Sequence, residues 1–315
     1  MVGVVVAFPT LATVQPRMTE QGTVRFSYDG EELETWYRID GDLGSGVPPV
    51  IGLHGGPGAT HDYLRSLADL AVGGRAVVLY DQVGNGRSSH RPERGADFWT
   101  VDLFVAELHN LVAALGIGDH CVLGQSWGGF LAQEYALTQP AGLRRLVLAD
   151  TAASFPDFVA ECNRLRALLP PAVEATLRRH EEAGTTSDPA YEAACRVFYR
   201  RHLCRLDPWP AELNESFAWI ERDPTVYHTM NGPSEFHVIG SIRDWQSKDR
   251  LHELAVPTLI VSGRHDEATP ALQETLQRGI QGSEWVVFEH SAHVPHLEER
   301  ERYARVVGGW LSRAG

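Results

Sequence analysis

The stretch Cys121-Val122-Leu123-Gly124-Gln125-Ser126-Trp127-Gly128-Gly129 decides the fold. A short apolar run leads straight into a serine with glycine two residues to either side, and helix-forming sequence follows over 128–139. A serine on so abrupt a strand-to-helix turn needs both glycines. The backbone doubles back there, and a Cβ at 124 or 128 would meet its neighbours. The pattern G-x-S-x-G occurs by accident in glycine-rich chains, so the strand before it and the helix after it carry the weight.

Working outward, further short runs of β-branched or aliphatic residues lie at 50–53, 76–80, 146–148, 258–261 and 285–288. Helix-like stretches at 100–115, 128–139 and 271–279 alternate with them. Continuous apolar runs suit strands buried on both faces, so the expected core is a mostly parallel, doubly wound α/β sheet. Alternation fails between about 153 and 240, where Glu, Arg, Ala and Leu recur at helical spacing. That stretch reads as a helical cap inserted into a core made of residues 1–152 and 241–315. The plainer reading is extra helices packed on the periphery.

With 315 residues, 43% of them hydrophobic and 22% charged, the chain can bury one large core with an insertion. A net charge of −13 would repel nucleic acid or an anionic membrane, which excludes both as expected partners and suits a cationic or neutral substrate. Cys121, Cys162, Cys195 and Cys204 form no C-x-x-C pair, and a chain this large needs no disulfide staples. Reduced thiols in a cytoplasmic protein are expected. The apolar run at 2–8 has no basic residue before it and is too short to span a bilayer, so neither a signal peptide nor a membrane helix is read there. The first seventeen residues read as an extension upstream of Met18.

A serine hydroxyl becomes nucleophilic only when a histidine takes its proton and an acid holds that histidine in the right tautomer. After a nucleophile on such an elbow, the acid and then the histidine follow in chain order. The strand at 258–261 runs into Ser262-Gly263-Arg264-His265-Asp266-Glu267, which puts Asp266 at the carboxyl edge of the sheet as the acid. The last strand runs into a loop with His290, His293 and His296, and spacing does not choose among them. Three histidines at intervals of three also suggest a metal site, but a complete serine machinery makes a metal redundant, and none is expected. For the developing oxyanion, the glycines of His54-Gly55-Gly56-Pro57-Gly58 allow close backbone approach, and Gly56 and Trp127 are the expected N–H donors.

Residues 54–58, the run Tyr80-Asp81-Gln82-Val83-Gly84-Asn85-Gly86-Arg87-Ser88, residues 124–129 and the run Asp266-Glu267-Ala268-Thr269-Pro270 together resemble the proline iminopeptidases. Several separate motifs match in order from His54 to His293. The resemblance implies the α/β-hydrolase fold and places the base in a Ser-x-His segment followed by acidic residues. Ser291-Ala292-His293, with Glu298 and Glu299 downstream, fits this, so His293 is the implied base. It also implies that Glu235, within Asn231-Gly232-Pro233-Ser234-Glu235-Phe236, and Glu267 hold the substrate's free α-amino group. Without the resemblance, Glu235 reads equally well as a solvated helix-end glutamate.

The implied reaction is release of an N-terminal residue, proline or another small or apolar one, from a small peptide or aminoacyl amide through an acyl-enzyme, with no cofactor. Aromatics at Trp209, Phe217, Trp219, Tyr227, Phe236 and Trp245 are expected to be mostly core, a few lining a slot for the first residue. Three alternatives keep the same fold. An amino-acid amidase, or a remover of an aminoacyl group from a small metabolite, differs only in leaving group. An esterase on neutral esters would have no use for paired glutamates. A non-catalytic relative would lack a triad member, and none is lacking. The sequence sets no oligomeric state.

Overall fold

The computed structural model describes residues 18–313; the apolar run at 2–8 lies outside the described residues. Eight strands form one sheet: β1 (Thr19–Tyr28), β2 (Glu31–Asp40), β3 (Val50–Leu53), β4 (Val77–Asp81), β5 (His120–Gln125), β6 (Leu143–Ala149), β7 (Thr258–Gly263) and β8 (Glu284–Phe288). Their order is β1-β2-β4-β3-β5-β6-β7-β8. From β4 to β8 every pairing is parallel, while β1 and β2 form an antiparallel hairpin on one edge.

Strands β3, β4, β5 and β7 are buried at every position. Alternate residues feed two cores on the two faces of the sheet. Val77, Leu79, Cys121, Leu123, Val147, Leu259 and Val261 face one, and Val78, Tyr80, Val122, Leu146, Leu148 and Ile260 face the other. Burying each such side chain is worth about 1.5–3 kcal/mol, so both faces must be apolar and the runs read as continuous. The hairpin escaped the search for apolar runs because only Phe26 of β1 is buried. Its signal is Asp29-Gly30, a two-residue turn in which both residues have positive φ, 49° and 75°.

The helices on the sheet are α1 (Val101–Ala114), α2 (Trp127–Leu137), α8 (Pro270–Gly279), α9 (Pro295–Glu298) and α10 (Arg300–Leu311). Five more, α3 (Phe155–Arg166), α4 (Pro171–Ala183), α5 (Pro189–His202), α6 (Ala211–Arg222) and α7 (Thr225–Met230), lie consecutively between β6 and β7. Side chains cap several of them: Ser154 accepts from Asp157 N at the start of α3, and Asp188 accepts from Ala190 N at the start of α5. Ser154 also bridges to Gln246, tying the entry of this helical segment to its exit. Helix α6 reaches the loop region after β3, where Thr60 N donates to Ser216 Oγ at 3.0 Å and Arg65 pairs with Glu215 at 2.7 Å.

Strand register sets the place of the site. Gln125 pairs with Ala149, Ala149 with Val261, and Gly263 with Phe288. The carboxyl ends of β5, β6, β7 and β8 therefore lie side by side, and the segments that leave them carry Ser126, Asp150, Asp266 and His293.

Candidate active site

Ser126 sits at φ 57° and ψ −125°, a left-handed conformation that a non-glycine residue holds only when its surroundings fix it. Its N–H donates to Ala149 O at 3.0 Å, and its carbonyl accepts from Gly129 N and Thr151 Oγ1, both at 2.8 Å. The flanking glycines are sterically required. A Cβ on Gly124 would fall 2.1 Å from Gly128 O, and one on Gly128 would fall 2.1 Å from Leu53 O.

The glycine loop after β3 lies against this turn, since a Cβ on Gly55 would come within 2.9 Å of the Ser126 Cβ. His54 anchors it. Its Nε2 accepts from Gln82 N at 3.0 Å and its Nδ1 donates to Gly55 O at 3.0 Å, while burial drives its pKa down to about 4 and keeps it neutral. Gln82 in turn donates to His54 O and accepts from Trp127 Nε1 at 2.9 Å, so the loop and the start of α2 are held by one side chain. Gly56 and Trp127, the expected oxyanion donors, both line a cleft with Ser126. Trp127 opens α2, where the first N–H groups have no intrahelical acceptor and the helix dipole favours negative charge.

Of the three histidines, the fold selects one. His290 is exposed. His296 is buried, donates from Nε2 to Tyr63 O at 3.2 Å, and is pushed down to about 3 by burial. His293 donates from Nδ1 to Asp266 Oδ1 at 2.6 Å, and the same oxygen accepts from Ala268 N at 2.8 Å. Its Nε2 has no hydrogen-bond partner among the described residues and lies 3.8 Å from Glu267 Oε1. Burial alone would lower its pKa, but the carboxylates of Asp266, Glu267 and Glu235 outweigh it and hold the imidazole at about 9. His293 and Ser126 line the same two clefts.

Glu235 lines both of these clefts, whereas Glu267 lines neither and lies beside His293. Glu235, 9% exposed, follows α7 and accepts from Tyr227 Oη at 2.7 Å. Glu267 is fully buried, and neither of its oxygens has a hydrogen-bond partner among the described residues. Burial raises both pKa values, and for Glu267 the neighbouring carboxylates of Glu235 and Asp266 raise it further against the pull of His293. A buried carboxylate without partners is costly, and Glu267 is in that state. The end of α5 fixes both loops: Glu267 N donates to His202 O at 3.1 Å and His293 N donates to Leu203 O at 3.0 Å.

Two clefts meet at Gly56, Ser126, Glu235 and His293. The larger, about 410 Å³, is walled by Leu203, Leu213, Phe217 and Ile220; the smaller, about 280 Å³, is walled by Phe130, Phe155 and Phe158. Of the aromatics expected to be mostly core with a few in a slot, Phe217 faces a cleft and Tyr227 bonds Glu235, whereas Phe236 is buried core and Trp245 donates to Glu134 at 2.8 Å. The aromatic wall of the smaller cleft comes instead from α2 and α3, which sequence reading missed because Phe130, Phe155 and Phe158 carry no chemical signal. Gln125, Tyr63 and Asp150 were missed because their roles rest on contacts with distant segments, although Asp150, a carboxylate at the end of the strand read at 146–148, did carry a signal.

This fold, with serine, acid and histidine following one another at the strand ends, defines an α/β hydrolase, and the family description "alpha/beta hydrolase fold" matches residues 48–300. The chain is 39% identical over 278 residues to a proline iminopeptidase of Saccharolobus solfataricus, covering 88% of this chain and 87% of that one. It therefore belongs to the proline iminopeptidase family. The crystal structure of proline iminopeptidase from Mycobacterium smegmatis superposes with a TM-score of 0.83 at 44% identity, covering 92% of this chain and 97% of that one. The crystal structure of VinJ superposes with a TM-score of 0.90 at 52% identity, covering 93% and 98%. Among the described residues no helix is long and apolar enough to cross a membrane, and all four cysteines are unpaired and buried.

Proposed function

We propose that this chain is a serine aminopeptidase that releases an N-terminal proline, or another small or apolar residue, from small peptides through an acyl-enzyme on Ser126. Membership of the family supports the reaction class. The substrate's free amine is supported by one observation above the others: Glu267 is fully buried with both oxygens unbonded, 3.8 Å behind His293 Nε2, while Glu235 lines both clefts.

The substrate ammonium binds between Glu235 and Glu267. A carboxylate about 4 Å from an ammonium contributes roughly 4 kcal/mol at an effective dielectric near 20, before desolvation is subtracted. Ser126 Oγ attacks the carbonyl carbon while His293 Nε2 takes its proton. Asp266 Oδ1, already bonded to Nδ1, stabilises the imidazolium that results. The oxyanion meets the N–H groups of Gly56 and Trp127. The imidazolium protonates the leaving amine, and water activated by the same imidazole then attacks the ester carbonyl and frees Ser126. The helices between β6 and β7 serve as a cap that supplies Glu235 and the apolar walls. An esterase acting on neutral esters would gain nothing from two buried carboxylates.

Proline p-nitroanilide tests the reading against its N-acetylated form. Rapid release from the free amine and none from the blocked compound is expected, with Ser126→Ala folded and inactive. Equal rates on both would reject the amine-anchoring reading, and retained activity in Ser126→Ala would reject the nucleophile.

A further inference from the structure

Asp150 leaves the carboxyl end of β6 in a left-handed conformation, φ 52°, with its N–H donating to Val261 O at 2.8 Å. Aspartate is among the few side chains that tolerate this region, and holding it there still costs free energy. The conformation turns the side chain toward the segment that leaves β7. Asp150 Oδ1 accepts from Gly263 N at 3.1 Å, three residues before Asp266 on the segment leaving β7, and the two carboxyls are near enough to interact. Both residues are buried, at 0% and 1% exposure.

Each carboxyl has one oxygen already engaged and one left over. Asp266 Oδ1 is used by His293 and Ala268, and Asp150 Oδ1 is used by Gly263. The remaining oxygens, Asp150 Oδ2 and Asp266 Oδ2, have no donor among the described residues. Two ionised carboxylates are acceptors only, so this contact is repulsive unless one carries a proton. The proton belongs on Asp150. Asp266 keeps the charge because His293 and Ala268 N both donate to it, whereas Asp150 has one backbone N–H. Burial, followed by the charge of Asp266, drives the Asp150 pKa well above the ordinary carboxylate range, and Glu298 on α9 pushes the same way. Tyr63 and Tyr303, which lie near Asp150, are themselves held neutral by burial.

We propose that Asp150 is a positioning residue: its protonated carboxyl donates a hydrogen bond to Oδ2 of Asp266, fixing the plane of that carboxylate so that Oδ1 faces His293 Nδ1. The proposal rests on Asp266 being the acid of the catalytic triad. Without such a donor, Oδ2 would be a buried unsatisfied acceptor and the carboxylate could rotate away from the imidazole.

Infrared difference spectroscopy of wild type against Asp150→Asn at neutral pH reads the proton directly. A protonated-carboxyl stretch present in wild type and lost in Asp150→Asn is expected; no difference in that band would overturn the proposal. Kinetics read the positioning. Asp150→Ala should lower kcat for proline p-nitroanilide at least about tenfold with little change in KM, and Asp150→Asn, which keeps a donor, should recover most of that loss. Failure of asparagine to rescue, with the protein folded, would also overturn it. The pH midpoint of Ser126 sulfonylation by phenylmethanesulfonyl fluoride should be unmoved in Asp150→Asn, since a neutral group replaces a neutral group. A fall of about a unit would mean that Asp150 is ionised. Asp266→Asn with full activity would instead reject the triad assignment, whatever the infrared band shows.

Discussion

Gln125 donates its side-chain amide to the carbonyl oxygen of His293 at 2.8 Å. The residue beside the nucleophile thus grips the backbone of the base, across 168 positions of sequence. The other end of the amide accepts from the hydroxyl of Tyr63, and that hydroxyl accepts from Gly55 N at 2.7 Å. One chain of bonds therefore sets the oxyanion loop, the nucleophile turn and the base loop relative to one another. Tyr63→Phe removes the shared hydroxyl and leaves Gly55 N and Gln125 Oε1 unpaired. Steady-state kinetics should show kcat down by about ten- to a hundredfold with KM little altered, because misplacement of reacting groups by a fraction of an ångström is felt in the transition state. A melting curve should confirm that the protein stays folded. An unchanged kcat would deny the network any role in alignment.

Glu267→Gln and Glu235→Gln separate amine recognition from acyl chemistry. Each should lower kcat/KM for proline p-nitroanilide by about thirty- to three-hundredfold, equivalent to roughly 2–3.4 kcal/mol, as expected for loss of one partner of a buried charge pair. Hydrolysis of p-nitrophenyl butyrate, which has no amine, should fall far less. Parallel losses on both substrates would show that the glutamates act on the triad and not on the amine.

The same carboxylates set a pH dependence. With His293 held at about 9 in the free protein, the imidazole is protonated at neutral pH and becomes a base as pH rises through that value. The rate of Ser126 sulfonylation by phenylmethanesulfonyl fluoride, a reagent without an amine, should climb with a midpoint near 9. In Glu267→Gln one of the charges that favours the imidazolium is gone, so the midpoint should move down, by about one unit. A wild-type midpoint near the ordinary histidine value would contradict the electrostatic description of the site.

Glu107 offers a stability test away from the chemistry. It is fully buried on α1, accepting from Thr35 Oγ1 at 2.6 Å and from Val83 N at 2.9 Å, and burial raises its pKa from 4.5 to about 8. Folding therefore favours the neutral carboxyl. Its contribution is complete below about pH 4.5 and is lost as pH rises through 8. Glu107→Gln, neutral at every pH, should gain in Tm relative to wild type as pH is raised from 5 to 9. A constant Tm difference across that range would show that the group does not titrate there.

The parallel strands were legible because burial on both faces forces apolar residues at every position, and the elbow was legible because only glycine fits at 124 and 128. The edge hairpin was not, since β1 is mostly exposed and leaves little apolar trace. Ser126 and Asp266 could be read directly: each follows a recognisable strand, and strand ends in a parallel sheet lie together. His293 could not be separated from His290 and His296 by spacing.

The amino-acid sequence by itself determined the six parallel strands of the sheet, their order along the chain and the chemical types gathered at one rim. Only the tertiary structure decided which imidazole meets Asp266, which carboxylates are left without partners, and that Asp150, Gln125 and Tyr63 stand behind the reacting groups. The reason is one of range. Turn and strand preferences act within a few residues, whereas a hydrogen bond or a carboxyl contact depends on where distant segments come to rest, and no local pattern encodes that distance.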